Sequence, residues 1–145
     1  MKSKKLSEKI LKSIKSRGFN KITLDPVLET KHILQRSGEN FKKFLFSFYD
    51  LNGKELCLRP DLTISSALRF VQNKKDSREK VFYSGEAFRK TYQKKDSIIK
   101  NQIGYEILGS RNKPQDDEEI IDASLKILKN RNFKKSVLKI GNVEL

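Results

Sequence analysis

Residues 83–110, YSGEAFRKTYQKKDSIIKNQIGYEILGS, contain two strand-like segments whose polar side chains could hold a small molecule. In alternation, one face of the two segments carries Tyr83, Gly85, Ala87, Arg89, Gln102, Gly104 and Glu106. A guanidinium can pair with a carboxylate, whereas a carboxylate accepts hydrogen bonds from N–H donors. Because glycine and alanine leave room above a sheet, this face is predicted to be the floor of a small-molecule site.

Each candidate side chain also has a purely structural interpretation. Asp61 follows a proline and is equally well suited to cap a helix, because aspartate is a preferred N-cap residue. Thr63 would then be a surface residue of the first helical turn, and Arg89 would pair with an acid on an open face. Glu106 fits the solvent side of an amphipathic strand. Of these candidates, Gln102 has the least support as a ligand-binding residue from its position alone.

Apolar spacing and turn residues predict the elements that must position these side chains. Helices are predicted over residues 3–17 and 30–36, from Asp61 to the polar run at 72–80, and from Asp116 to Lys129. Strands are predicted over 19–24, 27–28, 45–49, 55–58 and 136–140, and in the two strand-like segments of residues 83–110, which together are called the ribbon. The Asn52-Gly53 pair is typical of a hairpin turn. Antiparallel hairpins with separate helices indicate an α+β fold.

Composition limits the class of protein. The chain has 145 residues, of which 36% are hydrophobic and 34% charged, so we expect a single domain over 1–145. One cysteine and one histidine exclude a disulfide framework and a Cys/His metal cluster built from this chain. No apolar run is long enough to cross a bilayer, and we expect a cytoplasmic protein.

The net charge of +14 raises the question of nucleic-acid binding. The basic residues are mainly lysines scattered among acids, without an arginine-rich arm, a zinc finger or an aromatic RNA-stacking motif. A basic RNA-binding module is therefore a weaker hypothesis than the small-molecule site.

Four segments in order identify a family that the chain resembles. They are DPVLETKHILQRSGENF, SFYDLNGKELCLRPDLT, SGEAFRKT and NQIGYEILGS. Their order and spacing are similar to those of the histidyl-tRNA synthetase-like branch of the class II aminoacyl-tRNA synthetases, from about Leu6 to Leu145. The resemblance implies an antiparallel sheet with flanking helices, in a truncated class II core. The chain would correspond to the N-terminal half of that core. It also implies self-association, because the segment around Pro26 resembles a dimer-interface motif.

Within that branch, the ribbon loop separates an enzyme from a non-catalytic relative. In the synthetase, Phe-Arg-x-Glu is followed by a loop with Gly-Arg-x-Arg that grips ATP. Here Asp96, Ser97 and Ile98 fall on the Arg-x-Arg positions. A carboxylate at this place would repel a triphosphate. The sequence LRPDLT, with Asp61, also resembles the regulatory subunit of ATP phosphoribosyltransferase, so we expect no catalysis by this chain itself.

The resemblance implies a histidine-like ligand and specific partners. In the synthetases, residues matching Asp61, Thr63 and Gln102 surround the amino group of histidine, the one matching Arg89 lies by the carboxylate, and the one matching Glu106 faces the imidazole. The implied partners are the catalytic ATP phosphoribosyltransferase subunit, a second copy of this chain, and L-histidine as an effector. No cofactor and no metal are expected. The alternative is a truncated histidyl-tRNA synthetase.

Overall fold

The structure is a computed structural model that describes residues 2–73, 77–93, 95–129, 137 and 139, with side chains from residue 6 onward. Its elements are α1 (Lys2–Lys15), β1 (Asn20–Lys21), β2 (Val27–Glu29), α2 (Thr30–Ser37), the 3-10 helix η1 (Glu39–Phe44), β3 (Ser47–Tyr49), β4 (Glu55–Leu58), α3 (Thr63–Gln72), β5 (Glu79–Phe88), β6 (Ile99–Leu108) and α4 (Lys113–Lys129). The strand predicted over 136–140 lies outside the described residues, apart from Val137 and Lys139. None of the helices in the described ranges is long and apolar enough to cross a membrane.

The chain divides into two compact units, Met1–Arg111 and Asn112–Leu145. The second unit contains α4, which begins three residues before the predicted Asp116. The reason is that Asn112 Oδ1 accepts a hydrogen bond from the backbone N–H of Gln115 at 3.4 Å, and proline is tolerated in a first turn. All candidate site residues lie in the first unit.

Six strands form two small sheets in the first unit. One has the order β1-β5-β6, with β1 parallel to β5 and β5 antiparallel to β6. The other has the order β2-β4-β3 and is antiparallel throughout. The predicted hairpin is confirmed: Asp50 Oδ1 accepts from the backbone N–H groups of Asn52 (2.8 Å) and Lys54 (2.9 Å), while Gly53 takes a φ of +76°. The structure therefore has the predicted α+β class.

The strand predicted over 19–24 is shorter than expected, because only Asn20–Lys21 pairs with β5. The ring of Phe19 is buried instead and packs edge-on against Tyr105, with 5.5 Å between ring centroids. Lys80 contacts the chain just before Phe19, because its Nζ donates a hydrogen bond to the carbonyl of Arg17 at 2.6 Å. Side-chain packing therefore shapes this segment more than strand pairing does.

Arg59 joins the two sheets. It follows β4 directly, is only 8% exposed, and donates through Nε to the carbonyl of Glu86 on β5 at 2.8 Å. Its Nη1 donates to the carbonyl of Leu24 at 2.5 Å, and its own carbonyl accepts from the N–H of Phe88 at 2.9 Å. Burial lowers the pKa of the Arg59 guanidinium from its usual range. One side chain thus holds three separate segments together.

Two apolar clusters support the sheets. The first contains Leu24, Leu62, Tyr83 and Ala87 and lies against the face of the β5–β6 ribbon that bears the candidate site residues. The second contains Ile33, Leu45 and Cys57 and lies under the other sheet. Burial raises the pKa of the Cys57 thiol, which packs as a small apolar side chain in this cluster.

Replacing Arg59 by methionine is expected to lower the free energy of unfolding by about 2–4 kcal/mol, because the buried carbonyl of Leu24 and the partly buried carbonyl of Glu86 lose their donor. Urea denaturation measures the change. The matched control is Arg36→Met on the exposed side of α2, which should stay within about 0.5 kcal/mol of wild type. Equal effects of the two variants would contradict the role of Arg59.

The Glu29 carboxylate should make the stability of the protein depend on pH in the acid range. Its carboxylate lies 2.7 Å from both Lys31 Nζ and Lys54 Nζ, and these bonds lower its pKa from 4.5 to about 2. Since the folded-state pKa is the lower one, this stabilisation is complete above pH 4.5 and disappears as the pH falls towards 2. Denaturation midpoints between these pH values should fall more steeply for wild type than for Glu29→Gln. Parallel pH profiles would refute the assignment.

Candidate functional site

The strand register brings the predicted polar residues to one face of the β5–β6 ribbon. Glu106 is opposite Val81, and Gln102 is opposite Gly85. The N-terminal end of α3, which carries Asp61 and Thr63 at its start, lies against the same face through the packing of Leu62 in the first apolar cluster. The candidates therefore meet where a helix begins above a sheet.

Glu106 belongs to a hydrogen-bonded cluster with two hydroxyls. Tyr83 Oη donates to Glu106 Oε1 at 2.5 Å, and Thr63 Oγ1 lies 3.3 Å from Tyr83 Oη. Burial, and next the bond to Glu106, raise the pKa of Tyr83 well above its usual range. The other carboxylate oxygen, Glu106 Oε2, is buried and has no hydrogen-bond partner among the described residues. Glu106 is thus not on the solvent side of the strand.

Arg89 and Asp61 form a second cluster. Arg89 Nε donates to the carbonyl of Pro60 at 2.8 Å, and its Nη2 lies 3.9 Å from Asp61 Oδ2. The guanidinium also lies over the ring of Phe41, 5.8 Å from its centroid. Asp61 Oδ1 accepts from the N–H of Ile64 at 3.2 Å, so this carboxylate both caps the helix start and faces Arg89. The helix-cap interpretation of Asp61 is confirmed, and its role in binding a ligand stays a prediction.

Gln102 lies between these clusters, half-buried on the shared face of the ribbon. Asp61 and Thr63 link them from the other side, because they are two residues apart at the start of α3. The arrangement places carboxylate, hydroxyl, guanidinium and carboxamide groups around one helix terminus. Their roles toward a ligand remain a prediction.

The prediction that small residues leave room for a ligand is wrong at both glycines. A Cβ at Gly85 would lie 2.6 Å from Arg59 Nη2, and one at Gly104 would lie 2.5 Å from Oη of Tyr83. The space above the sheet is therefore filled by the protein's own side chains. The sequence contains a hint of this packing, because it has a tyrosine on one segment and a glycine on the other. The observed register places Tyr83 directly opposite Gly104.

The loop with Asp96 borders a cavity of about 350 Å³. Its lining includes the aromatic ring of Tyr92 and three cationic side chains, Arg89, Lys90 and Lys100, together with Asp96. Asp96 thus contributes one negative charge to a cavity whose other charged groups are positive. Arg89 and Lys90 directly follow β5 and Lys100 lies on β6, so these cations flank the loop that carries Asp96.

No group of three or more His, Cys, Asp or Glu side chains in the described part of the chain is arranged to hold a metal ion.

A comparison with protein families matches residues 1–145 to histidyl-tRNA synthetase. Among curated relatives, histidine–tRNA ligase of Methanococcus aeolicus is 35% identical over 131 residues, covering 86% of this chain and 31% of the ligase. The ATP phosphoribosyltransferase regulatory subunit of Sinorhizobium medicae is 31% identical over 108 residues, covering 73% of this chain and 28% of that protein. The chain thus spans about a third or less of the length of these relatives.

Solved structures agree on the fold. A structure described as an ATP phosphoribosyltransferase regulatory subunit/histidyl-tRNA synthetase from Bacillus halodurans superposes with a TM-score of 0.74 at 23% identity, covering 89% of this chain and 33% of that one. The fold is the class II aminoacyl-tRNA synthetase core that the motifs predicted. Because the family match extends over the whole sequence, the chain belongs to the histidyl-tRNA synthetase family.

Proposed function

We propose that this chain acts as the non-catalytic regulatory subunit of ATP phosphoribosyltransferase, for the first step of L-histidine biosynthesis, and transmits feedback by histidine. The observation that carries the proposal is the sequence Asp96-Ser97-Ile98 at the positions where the synthetases have the arginines that grip ATP. A relative from Sinorhizobium medicae is named ATP phosphoribosyltransferase regulatory subunit, which supports the proposal.

The charge at Asp96 argues against activation of an amino acid. Activation requires donors fixed around a phosphoryl group as negative charge shifts in the transition state. Arginine provides a rigid fork of such donors, whereas a carboxylate provides only acceptors. Ser97 cannot compensate, because its hydroxyl already donates to the carbonyl of Ile99 at 2.6 Å. Ser97 therefore does not replace the missing clamp.

The amino-acid half of the site supports binding without catalysis. Asp61 and Arg89 offer opposite charges for an ammonium and a carboxylate, at the helix terminus described above. Glu106 offers a buried acceptor for a ring N–H. A chain that binds histidine but does not activate it is suited to report its concentration to a catalytic partner.

A second candidate function is that of histidyl-tRNA synthetase. It is favoured by the three cations in the cavity beside the loop, Arg89, Lys90 and Lys100, which are suited to attract phosphate groups. The identity of 35% to the ligase of Methanococcus aeolicus points the same way. Experiments with ATP distinguish the two functions.

The regulatory function predicts a complex. The chain should co-purify with the catalytic ATP phosphoribosyltransferase subunit from the same organism and raise its rate of phosphoribosyl transfer, and histidine should reduce that rate. Glu106→Gln should raise the histidine concentration needed for half inhibition by about tenfold, because an uncharged amide replaces the buried acceptor. Glu118→Gln, an exposed residue on α4, is the matched control. Absence of both a complex and a rate change would disprove the proposal.

The loop predicts weak ATP binding and no activation. Histidine-dependent exchange of pyrophosphate into ATP should stay at background for the wild-type chain. Asp96→Arg should tighten Mg-ATP binding by about tenfold in calorimetry, because it replaces a repulsive charge with a donor fork. Asp117→Arg changes the net charge equally at an exposed position on α4 and should have little effect. Exchange by the wild-type chain would favour the synthetase function instead.

A further inference from the structure

The turn between β3 and β4 contains the pair Asn52-Gly53, whose side-chain carboxamide and backbone nitrogen can react with each other. No other asparagine in the sequence is followed by glycine. Glycine lets its backbone nitrogen approach a neighbouring group closely, because it has no Cβ. Both residues are exposed, and a Cβ added at Gly53 would meet no atom within 4 Å. The Asn52 carboxamide makes no hydrogen bond within the described part of the chain, so it is free to turn towards the nitrogen of Gly53.

The reaction is an internal acyl transfer followed by hydrolysis, and water is the only further reactant. The backbone nitrogen of Gly53 loses its proton to hydroxide and attacks Cγ of Asn52. A new C–N bond closes a cyclic imide, and the side-chain nitrogen takes up a proton from water and leaves as ammonia. Water then adds to one of the two imide carbonyls. Cleavage at Cγ gives aspartate, whereas cleavage at the backbone carbonyl gives isoaspartate, whose main chain runs through the former side chain.

Asp50 restrains the nitrogen that must attack. The N–H of Gly53 donates to the backbone carbonyl of Asp50 at 3.1 Å, so its proton is engaged in the closed turn. On either side of this nitrogen, Asp50 Oδ1 accepts from the backbone N–H groups of Asn52 at 2.8 Å and Lys54 at 2.9 Å. The turn must open before Gly53 can lose its proton and reach the carboxamide. The reaction rate therefore depends on the fraction of molecules in which the turn is open.

We propose that Asn52 is a site of spontaneous deamidation and that Asp50 sets its rate by keeping the turn closed. Opening of the turn is local, because Leu51 at its tip is fully exposed and belongs to neither apolar cluster. Isoaspartate lengthens the main chain by one carbon close to the opposed residues Tyr49 and Glu55, so it weakens the hairpin. The site is independent of the proposed regulatory function.

Mass spectrometry of the folded chain, kept at mildly alkaline pH, tests the site. Residue 52 should gain the mass difference between a carboxamide and a carboxyl group, with isoaspartate identified by electron-transfer fragmentation. The exposed Asn40, which precedes Phe41, is the internal control and should stay intact. Asp50→Ala should react about tenfold faster, because two backbone N–H groups lose their acceptor and the turn opens more often. Asp50→Asn keeps a side-chain oxygen as acceptor and should stay within about threefold of wild type.

A core variant separates local opening of the turn from a general loss of stability. Ile33→Val removes a methyl group from a fully buried side chain and should leave the rate at residue 52 unchanged. Equal rates in wild type and Asp50→Ala, or an equal acceleration by Ile33→Val, would overturn the role of Asp50.

Two further measurements test the site itself and its effect on the hairpin. The chain unfolded in guanidinium chloride gives the fastest rate. A folded chain that stays unmodified while the unfolded chain converts completely would overturn the site. The purified isoaspartate form should unfold at a lower urea concentration than Asn52→Asp, which adds the same charge without the extra carbon. Equal unfolding midpoints would disprove the effect on the hairpin.

Discussion

The hydrogen bonds of the buried Arg59 guanidinium are the interaction on which the first unit of the structure depends. A charged group that is only 8% exposed must be surrounded by acceptors, and here backbone carbonyls of Leu24 and Glu86 supply them. Those carbonyls lie on segments that are 62 residues apart in the chain, and Arg59 lies between them immediately after β4. Because a guanidinium has a rigid planar fork, it fixes the relative positions of these segments more strictly than apolar packing would. The start of α3, which carries Asp61 and Thr63, follows Arg59 and is positioned by it.

The same constraint explains the small residues of the ribbon. Gly85 lies under Arg59 Nη2 and Gly104 under the ring of Tyr83, so each glycine admits a large side chain that organises the site. Glycine in a strand interior weakens the strand and often marks a close approach. Here the approach is made by the protein itself. The small volume of these two residues therefore admits the side chains that contact Glu106 and the segment before α3.

The electrostatics of the two halves of the site differ. The amino-acid half has paired and buried polar groups, as Asp61 with Arg89 and Tyr83 with Glu106 show. The other half is an open cavity with three cations and the carboxylate of Asp96, and it contains no fixed arginine fork on the loop. A preorganised polar group acts without reorganisation cost, whereas scattered surface charges attract an anion without orienting it. This contrast is the physical basis of the proposal that the chain senses a ligand and does not activate it.

The sequence alone determined the α+β class, the hairpin at Asn52-Gly53, the α2 helix and the face shared by the candidate residues, because these follow from local periodicity and turn chemistry. It also determined the family, through the order of four motifs. Only the tertiary structure decided what occupies the space above Gly85 and Gly104, since Arg59 and Tyr83 reach it from other segments or from the opposite strand. It likewise decided that Asp61 caps the helix and faces Arg89 at once, and that Asp96 lies beside three cations. These features depend on side chains that are distant in sequence, which no local pattern encodes.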